Sequence, residues 1–233
     1  MRLCVIPARG GSKRIPRKNI LEFCGKPIIS YSIQAALDSN LFDHVVVSTD
    51  DNEIASVARR CGAAVPFIRP QELADDLTGT LPVVRHAVNW FCQNVESPES
   101  VCCIYATAPF VSPGDLKTGL DKLLKENCTY VFSVTSFPYP VQRALRVTDQ
   151  NRIEMVYPEY RETRSQDLED TWHDAGQFYW GKASAWKDGV PLFNQNVSPV
   201  IIPRYRVQDI DTMEDWIRAE WLYKSMKESG HDK

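Results

Sequence analysis

The sequence predicts an α/β fold, a Rossmann-like and mostly parallel sheet flanked by helices, with a small inserted arm or lid. Two observations lead to this prediction. Over the first 136 residues, short runs rich in β-branched residues alternate with segments of helical periodicity, a pattern typical of parallel sheets covered by helices. The segment after the first predicted strand is rich in glycine and basic residues, and such sheets bind ligands at the carboxyl ends of their strands.

The first half of the chain contains five predicted strands and four predicted helices. Pro27 occupies a position suited to the start of a helix, and Asp50 and Asp51 can cap the second helix, which Gly62 would end. Pro82 must lie in the first turn of the third helix. We expect strands at residues 2–6, 44–49, 64–68, 101–105 and 130–136, and helices at 28–39, 53–60, 81–95 and 112–126.

The second half begins with an irregular segment. Between residues 137 and 174, prolines, arginines and acidic residues predict loops and a short hairpin of 143–148 with 152–156. Strands are expected again at 177–180 and 200–202. The last helix is expected to run from Thr212, whose pattern with Asp215 is typical of a capping box, to about residue 228. We therefore expect one domain over residues 1–233, with 137–175 as an excursion that serves as a lid, a substrate wall or a dimer arm.

Composition argues against several classes of protein. The 233 residues carry a net charge of −3, which gives no general attraction to nucleic acid or to an anionic membrane. No apolar run approaches the roughly 18 residues that span a bilayer, and the first run is too short for a signal sequence. The seven cysteines include no C-x-x-C pair, so we expect reduced thiols, no zinc site and a cytoplasmic protein.

The most informative segment is residues 7–19, P-A-R-G-G-S-K-R-I-P-R-K-N, which holds five basic residues and no acid. Gly10 and Gly11 let backbone N–H groups converge on an anion, and the basic side chains can neutralise phosphate charge. The spacing matches neither the P-loop nor the dinucleotide fingerprint. The segment, called the basic loop below, therefore predicts a polyphosphate site. Its expected side-chain ligands are Arg9, Ser12, Lys13, Arg14 and Lys18.

The basic loop also carries a family resemblance. The run I-P-A-R-G-G-S-K-R-I-P-R-K-N-I, followed by F-x-G-K-P-I-I, resembles the opening of the CMP-sialic acid synthetase family, the acylneuraminate cytidylyltransferases. Four later segments are most similar to the members that act on pseudaminic acid: F-I-R-P-Q-E-L-A-D-D (67–76), Y-A-T-A-P-F (105–110), T-R-S-Q-D (163–167) and H-D-A-G-Q-F-Y-W (173–180). The resemblance extends from residue 2 to about residue 216.

The resemblance implies a fold of the nucleotide-diphospho-sugar transferase type and a homodimer. It implies that the enzyme transfers CMP from CTP to an acidic nine-carbon sugar for surface-glycan or flagellin glycosylation, with pseudaminic acid as the implied sugar. Arg9, Lys13 and Asp211 are the implied catalytic residues, and Arg69 is implied to recognise the cytosine edge. The implied nucleotide-binding residues are Ala8, Arg9, Gly10, Gly11, Ser12, Lys13, Lys18, Asn19, Arg69, Thr78 and Thr80.

Asp209 and Asp211 are the candidate metal ligands. Residues two apart in an extended segment point to the same side, and Mg²⁺ takes one or two carboxylates together with phosphate oxygens and water. Acidic residues are also common at a helix start, so the pattern alone leaves both readings open. The match to the family's D-x-D motif implies Mg²⁺ or Mn²⁺ at these two residues.

The sugar carries a carboxylate, so a cation is expected to bind it. Tyr105 stands where sialic-acid members have a glutamine that contacts the sugar, which favours a different nonulosonic acid. The candidate sugar-binding residues are Tyr105, Thr107, Arg143, Arg164, Gln166, His173 and Gln177. N-acetylneuraminic or legionaminic acid remains an alternative substrate, and a CTP-binding regulator without catalysis remains an alternative function.

Overall fold

The computed structural model describes residues 1–230, and within them helices cover both faces of one six-stranded sheet. The strands are β1 (Arg2–Pro7), β2 (Glu22–Phe23), β3 (Lys26–Pro27), β4 (His44–Ser48), β5 (Ser100–Ile104), β6 (Tyr130–Ser136), β7 (Leu145–Val147), β8 (Ile153–Met155), β9 (Trp172–Lys182) and β10 (Val197–Ile201). The helices are α1 (Ile29–Asp38), α2 (Asn52–Arg60), α3 (Thr80–Asn94), α4 (Pro113–Lys125), α5 (Ala183–Asp188) and α6 (Met213–Ser229).

The large sheet has the strand order β10-β6-β9-β5-β1-β4. β1 pairs in parallel with both β4 and β5, and β10 pairs in parallel with β6. β9 is antiparallel to both of its neighbours, β5 and β6, so the other five strands all run in one direction. Their carboxyl ends therefore meet at one edge of the sheet, and the prediction of a mostly parallel sheet is confirmed.

The central strand β1 is buried on both faces. Cys4 and Ile6 belong to an apolar cluster with residues of α1, α2 and α4, whereas Leu3 and Val5 belong to a second cluster with residues of α3 and α5. Successive side chains of a strand point to opposite faces. A strand covered on both faces is therefore a continuous apolar run, as in the sequence L-C-V-I.

A third apolar cluster lies outside the sheet and joins distant parts of the chain. It contains Ile15 of the basic loop, Phe23 of β2, Ile210 from the segment before α6, and Trp216 of α6, all of them buried. Phe23 and Trp216 pack edge to face with their ring centroids 5.5 Å apart. The cluster brings the segment before α6 next to the basic loop, although the two are almost 200 residues apart in sequence.

Most predicted elements are present, with boundaries within a few residues. The Thr212–Asp215 capping box at the start of α6 is confirmed. The predicted strand at 64–68 is wrong, because only Ala64 forms a bridge, to Val46. Pro66 has no N–H to donate, which prevents a regular ladder there. β9 is longer than predicted and contains an irregularity in its pairing with β6 near Gly176, whose φ is 62°.

Residues 137–171 leave the sheet between β6 and β9. They form short 3₁₀ turns and the predicted hairpin, β7 with β8, which pair in antiparallel fashion with Leu145 opposite Met155 and Val147 opposite Ile153. None of the helices in the described part of the chain is long and apolar enough to cross a membrane.

Asp51 anchors the basic loop to the N-terminus of α2. Its carboxylate accepts hydrogen bonds from the N–H groups of Glu53 and Ile54, each at 2.9 Å. Arg17 donates to both carboxylate oxygens, at 2.6 and 3.0 Å, and adopts a left-handed backbone conformation with φ of 58°. Hydrogen bonding from Arg17, aided by the two backbone N–H groups, lowers the pKa of Asp51 to about 2 from an ordinary 3.8.

We predict that Asp51→Ala lowers the free energy of unfolding by about 1–2 kcal/mol at neutral pH, the usual cost of losing a helix cap with a charged partner. Because the folded-state pKa is lowered, this contribution is present above pH 4 and is lost as the pH falls toward 2. Denaturant unfolding at several pH values measures it. The control is Asp121→Ala, which removes only an exposed pair with Lys117. Equal stabilities of Asp51→Ala and the wild type at pH 7 would contradict the prediction.

Candidate active site

A pocket of about 230 Å³ lies at the carboxyl end of β1. Its walls come from the basic loop, from the segment that leads into α3, and from the turn after β5. The pocket brings together eleven of the predicted site residues: Arg9, Ser12, Lys13, Arg14, Lys18, Asn19, Arg69, Thr78, Thr80, Tyr105 and Thr107. The position matches the rule that open α/β sheets bind ligands where their strands end.

The backbone of the basic loop is fixed by hydrogen bonds at several points. The buried Asn19 donates from Nδ2 to the carbonyl of Arg9 at 2.9 Å, and the Gly10 N–H donates to Asp50 Oδ1 at 3.1 Å. A Cβ at position 10 would lie 2.8 Å from a carboxylate oxygen of Asp51, so only glycine fits there. Ala8 is buried, and neither it nor Gly10 and Gly11 lines the pocket.

The cations of the basic loop are paired with acids from other parts of the chain. Asp76 binds both Arg9, at 2.7 Å, and Lys13. Hydrogen bonds from Lys13 and, to a lesser extent, from Arg9 lower the pKa of Asp76. Arg14 lies 2.7 Å from Asp211. A polyphosphate that binds Arg9 and Lys13 must therefore compete with the carboxylate of Asp76, which is exposed and loses little when it returns to water.

Arg69 forms a buried part of the pocket wall. Only 4% of the residue is exposed, and its Nη2 lies 3.4 Å from Asp50 Oδ1. Burial lowers the pKa of Arg69, and the charge of Asp50 opposes that effect. Because a buried cation is costly unless it is paired, the contact with Asp50 is a condition for a charged Arg69 in this position.

Tyr105 lines the pocket, and the buried Tyr179 packs behind it. The Tyr105 hydroxyl lies 2.9 Å from Thr80 Oγ1 at the start of α3, and its ring centroid is 5.3 Å from that of Tyr179. Tyr179 donates to Asp174 Oδ2 at 2.5 Å. Burial raises the pKa of Tyr105, so its hydroxyl is protonated at neutral pH and acts as a hydrogen-bonding group.

The two metal candidates lie beside the pocket, next to its basic residues. Ile210 between them is buried, whereas Asp209 and Asp211 both keep contact with solvent, the alternation of an extended segment. Lys18, which lines the pocket, approaches Asp211 Oδ1 at 3.5 Å. Desolvation and the charge of Asp211 raise the pKa of Asp209, as expected for two like charges held close together.

The remaining sugar-site candidates do not line this pocket. Arg143 donates to the carbonyls of residues 161 and 163 within the excursion. Arg164 and Gln166 are exposed there, and Arg164 lies 3.5 Å from Asp167. His173 contacts the ring of Phe137. Gln177 is buried and donates to the carbonyl of residue 206 at 2.6 Å. Their assignment to the sugar site stays a prediction.

Sequence reasoning missed two acidic residues of this region, Asp50 and Asp76. Asp50 was expected to cap α2, but only Asp51 does so. The available signal was its position directly after β4, because the carboxyl ends of adjacent parallel strands lie side by side. No local signal identified Asp76, since its contacts with Arg9 and Lys13 join residues more than 60 positions apart.

An open α/β sheet with a pocket of converging cations and hydroxyls at its carboxyl edge is the arrangement expected of a protein that binds a phosphorylated ligand such as a nucleotide. A comparison with known families shows to which family of such proteins the chain belongs. Residues 3–179 match the family described as cytidylyltransferase, and the chain belongs to that family.

Two related proteins are similar to this chain over almost its whole length. Pseudaminic acid cytidylyltransferase of Campylobacter jejuni is 45% identical over 227 residues, which cover 97% of this chain and 98% of that protein. CMP-N,N'-diacetyllegionaminic acid synthase of Legionella pneumophila is 31% identical, with 97% and 98% covered. The solved structure of CMP:2-keto-3-deoxy-manno-octonic acid synthetase complexed with CTP has a TM-score of 0.70 at 17% identity, covering 96% of this chain and 98% of that one. This last similarity concerns the fold alone.

Proposed function

We propose that this chain transfers CMP from CTP to pseudaminic acid, releasing pyrophosphate. The observation that carries the proposal is the pocket at the end of β1, where cations of the basic loop converge beside the buried Arg69. The choice of sugar is supported by the 45% identity to the Campylobacter jejuni pseudaminic acid cytidylyltransferase over nearly the full length of both proteins.

In the proposed reaction, the anomeric hydroxyl of the sugar attacks the α-phosphorus of CTP, and the bond to pyrophosphate breaks. Catalysis of this kind depends mainly on positioning and on neutralisation of charge. Lys13 is largely exposed and therefore able to leave Asp76 for the phosphates, whereas Arg9 and Lys18 are more fully held by their surroundings. We assign Lys13 and Arg9 to the leaving pyrophosphate and Arg69 to the base.

A divalent cation is part of the proposal. Asp209 and Asp211 fit Mg²⁺ or Mn²⁺, because a cation bound between them would offset both the desolvation of the Asp209 carboxylate and its repulsion by Asp211, the two effects that raise the pKa of Asp209. The part of the chain that the structure describes has no cluster of three or more acidic, histidine or cysteine side chains placed to hold a metal. Two carboxylates suffice if phosphate oxygens and water complete the coordination. The ion would supply further neutralisation of phosphate charge.

Other acidic sugars are the specific alternative. The Legionella pneumophila relative named for N,N'-diacetyllegionaminic acid is 31% identical over a similar length, so its substrate is the nearest competitor. Tyr105 and Thr107 line the pocket and are the proposed points of discrimination, because a hydroxyl that pairs with one sugar substituent is left unpaired by another.

We predict pyrophosphate release that requires CTP and is fastest with pseudaminic acid. The measurement uses purified protein with CTP, ATP, GTP or UTP and with pseudaminic, legionaminic, N-acetylneuraminic or 3-deoxy-manno-octulosonic acid. Lys13→Ala is expected to lower kcat by about 100-fold, whereas Lys26→Ala, outside the pocket, serves as the matched control. Faster release with another acid would refute the sugar assignment, and no release with any acid would refute the reaction.

We predict that Asp211→Asn raises the Mg²⁺ concentration needed for half-maximal turnover by at least about tenfold. Glu214→Gln, which removes one charge from the first turn of α6, is the control and is expected to respond like the wild type. Titration with Mn²⁺ followed by electron paramagnetic resonance tests binding without turnover. A wild-type response of Asp211→Asn in both measurements would remove Asp211 from the metal site.

The excursion at 137–175 supports a homodimer. In the β7–β8 hairpin, Leu145, Val147 and Ile153 share one face and are 60–70% exposed. The opposite face carries the Arg146–Glu154 ion pair. Because an isolated two-stranded hairpin with an uncovered apolar face is marginally stable in water, we propose that a second copy of the chain covers this face.

We predict that Val147→Asp combined with Ile153→Asp converts the dimer to a monomer, because two charges would be buried in the interface without partners. Sedimentation velocity at micromolar concentration measures the mass. Arg146→Ala, on the other face of the hairpin, should leave the dimer intact. A wild-type protein that sediments as a monomer would contradict the proposal.

A further inference from the structure

Asp50 occupies a position that neither the reaction nor the helix start explains. It follows β4 by two residues, and Asp51 rather than Asp50 caps α2. The same oxygen, Asp50 Oδ1, accepts from the Gly10 N–H at 3.1 Å and lies 3.4 Å from Arg69 Nη2. The carboxylate of Asp50 therefore contacts both the basic loop and the buried Arg69 of the pocket wall.

The arrangement leaves part of the Arg69 guanidinium free to bind a ligand. Its backbone N–H is fixed by the carbonyl of Thr49 at 2.8 Å, and the side chain, almost wholly buried, lines the pocket. Nε is buried without a hydrogen-bond partner in the described part of the chain. Among the described residues, Asp50 is the one hydrogen-bond partner of the guanidinium, so its remaining Nη N–H groups are left for a ligand that enters the pocket.

The two contacts of Asp50 have different consequences. A carboxylate only accepts hydrogen bonds, so the contact with Nη2 fixes which edge of the planar guanidinium faces the protein and which edge faces the pocket. The contact with Gly10 fixes the distance between this edge and the start of the basic loop. The separation between a phosphate-binding loop and a base-binding arginine determines which nucleotide can occupy both.

We propose that Asp50 is a positioning residue that orients Arg69 for recognition of the base and thereby sets the preference for CTP over UTP. The inference rests on the proposed function. An arginine edge offers only donors. Cytosine presents acceptors at O2 and N3, whereas N3 of uracil carries a hydrogen, which would face the donors of Arg69. A fixed guanidinium penalises UTP for this mismatch, and a guanidinium free to turn avoids it.

The test compares Asp50→Asn with the wild type and with Asp51→Asn. We expect Asp50→Asn to raise the KM for CTP about tenfold and to reduce the CTP-to-UTP ratio of kcat/KM about tenfold, the size of one charged hydrogen bond. With CTP, kcat should change by less than about threefold, because Asp50 contacts no reacting group. Asp51→Asn, which loosens Arg17 and the α2 cap, should lower the melting temperature and leave the ratio unchanged.

A double-mutant cycle shows whether Asp50 acts through Arg69. Arg69→Lys keeps the charge but loses the planar edge, so adding Asp50→Asn to it should cause little further loss of the ratio. An unchanged ratio in Asp50→Asn, an equal loss in Asp51→Asn, or additive losses in the double variant would each overturn the inference. If Asp50→Asn does not fold, Asp50→Glu is the second variant. The inference then requires that Asp50→Glu has a higher CTP-to-UTP ratio of kcat/KM than Arg69→Lys.

Calorimetric binding of CTP and UTP to the same variants separates this inference from the proposed reaction. A wild type that binds CTP better than UTP but releases no pyrophosphate would refute the reaction, and a smaller CTP-to-UTP binding preference in Asp50→Asn would still support the role of Asp50. Equal binding of CTP and UTP by the wild type would overturn the inference. A wild-type CTP preference retained by Asp50→Asn in both measurements would also overturn it.

Discussion

The concentration of positive charge in the basic loop is the constraint on which the rest of the site depends. Five cations within residues 7–19 repel one another, and carboxylates from elsewhere in the chain offset that repulsion. They come from three separate places: Asp51 and Glu53 at the start of α2, Asp76 before α3, and Asp211 before α6. Each of these contacts also fixes the position of the segment that supplies it.

The sheet topology makes these contacts possible. β4 lies beside β1 and runs parallel to it, so the acids after β4 arrive next to the glycines after β1. Asp50 and Asp51 have different partners. Asp51 binds Arg17 and caps α2, whereas Asp50 contacts Gly10 and Arg69. Burial of Ile15 and Ile210 in one apolar cluster brings the third acidic segment to the same edge. Burial of these apolar side chains contributes most of the free energy that holds the segments together, whereas the exposed ion pairs contribute little free energy and fix how the segments are aligned.

Local signals were reliable where local physics decides the structure. The Thr212 capping box and Ser112, which accepts from the Asp115 N–H at 3.2 Å, start their helices as predicted, because the cap is completed within one turn. The strand predicted at 64–68 failed because an apolar run does not show whether its N–H groups will find partners, and Pro66 removes one of them. The reversed direction of β9 was also not predicted, since it depends on where the chain returns after the long excursion.

The sequence by itself determined the fold class, the concentration of positive charge in the basic loop and the family, because periodicity, charge and motifs are properties of short segments. It also singled out Arg69, Thr80 and Tyr105, which the structure brings to one pocket. Only the tertiary structure decided that Asp50 and Asp76 belong to the same region, and that Arg143 and Arg164 do not line the pocket. The physical reason is that ion pairs across 20 to 200 residues depend on strand order and on apolar packing, which no local pattern encodes.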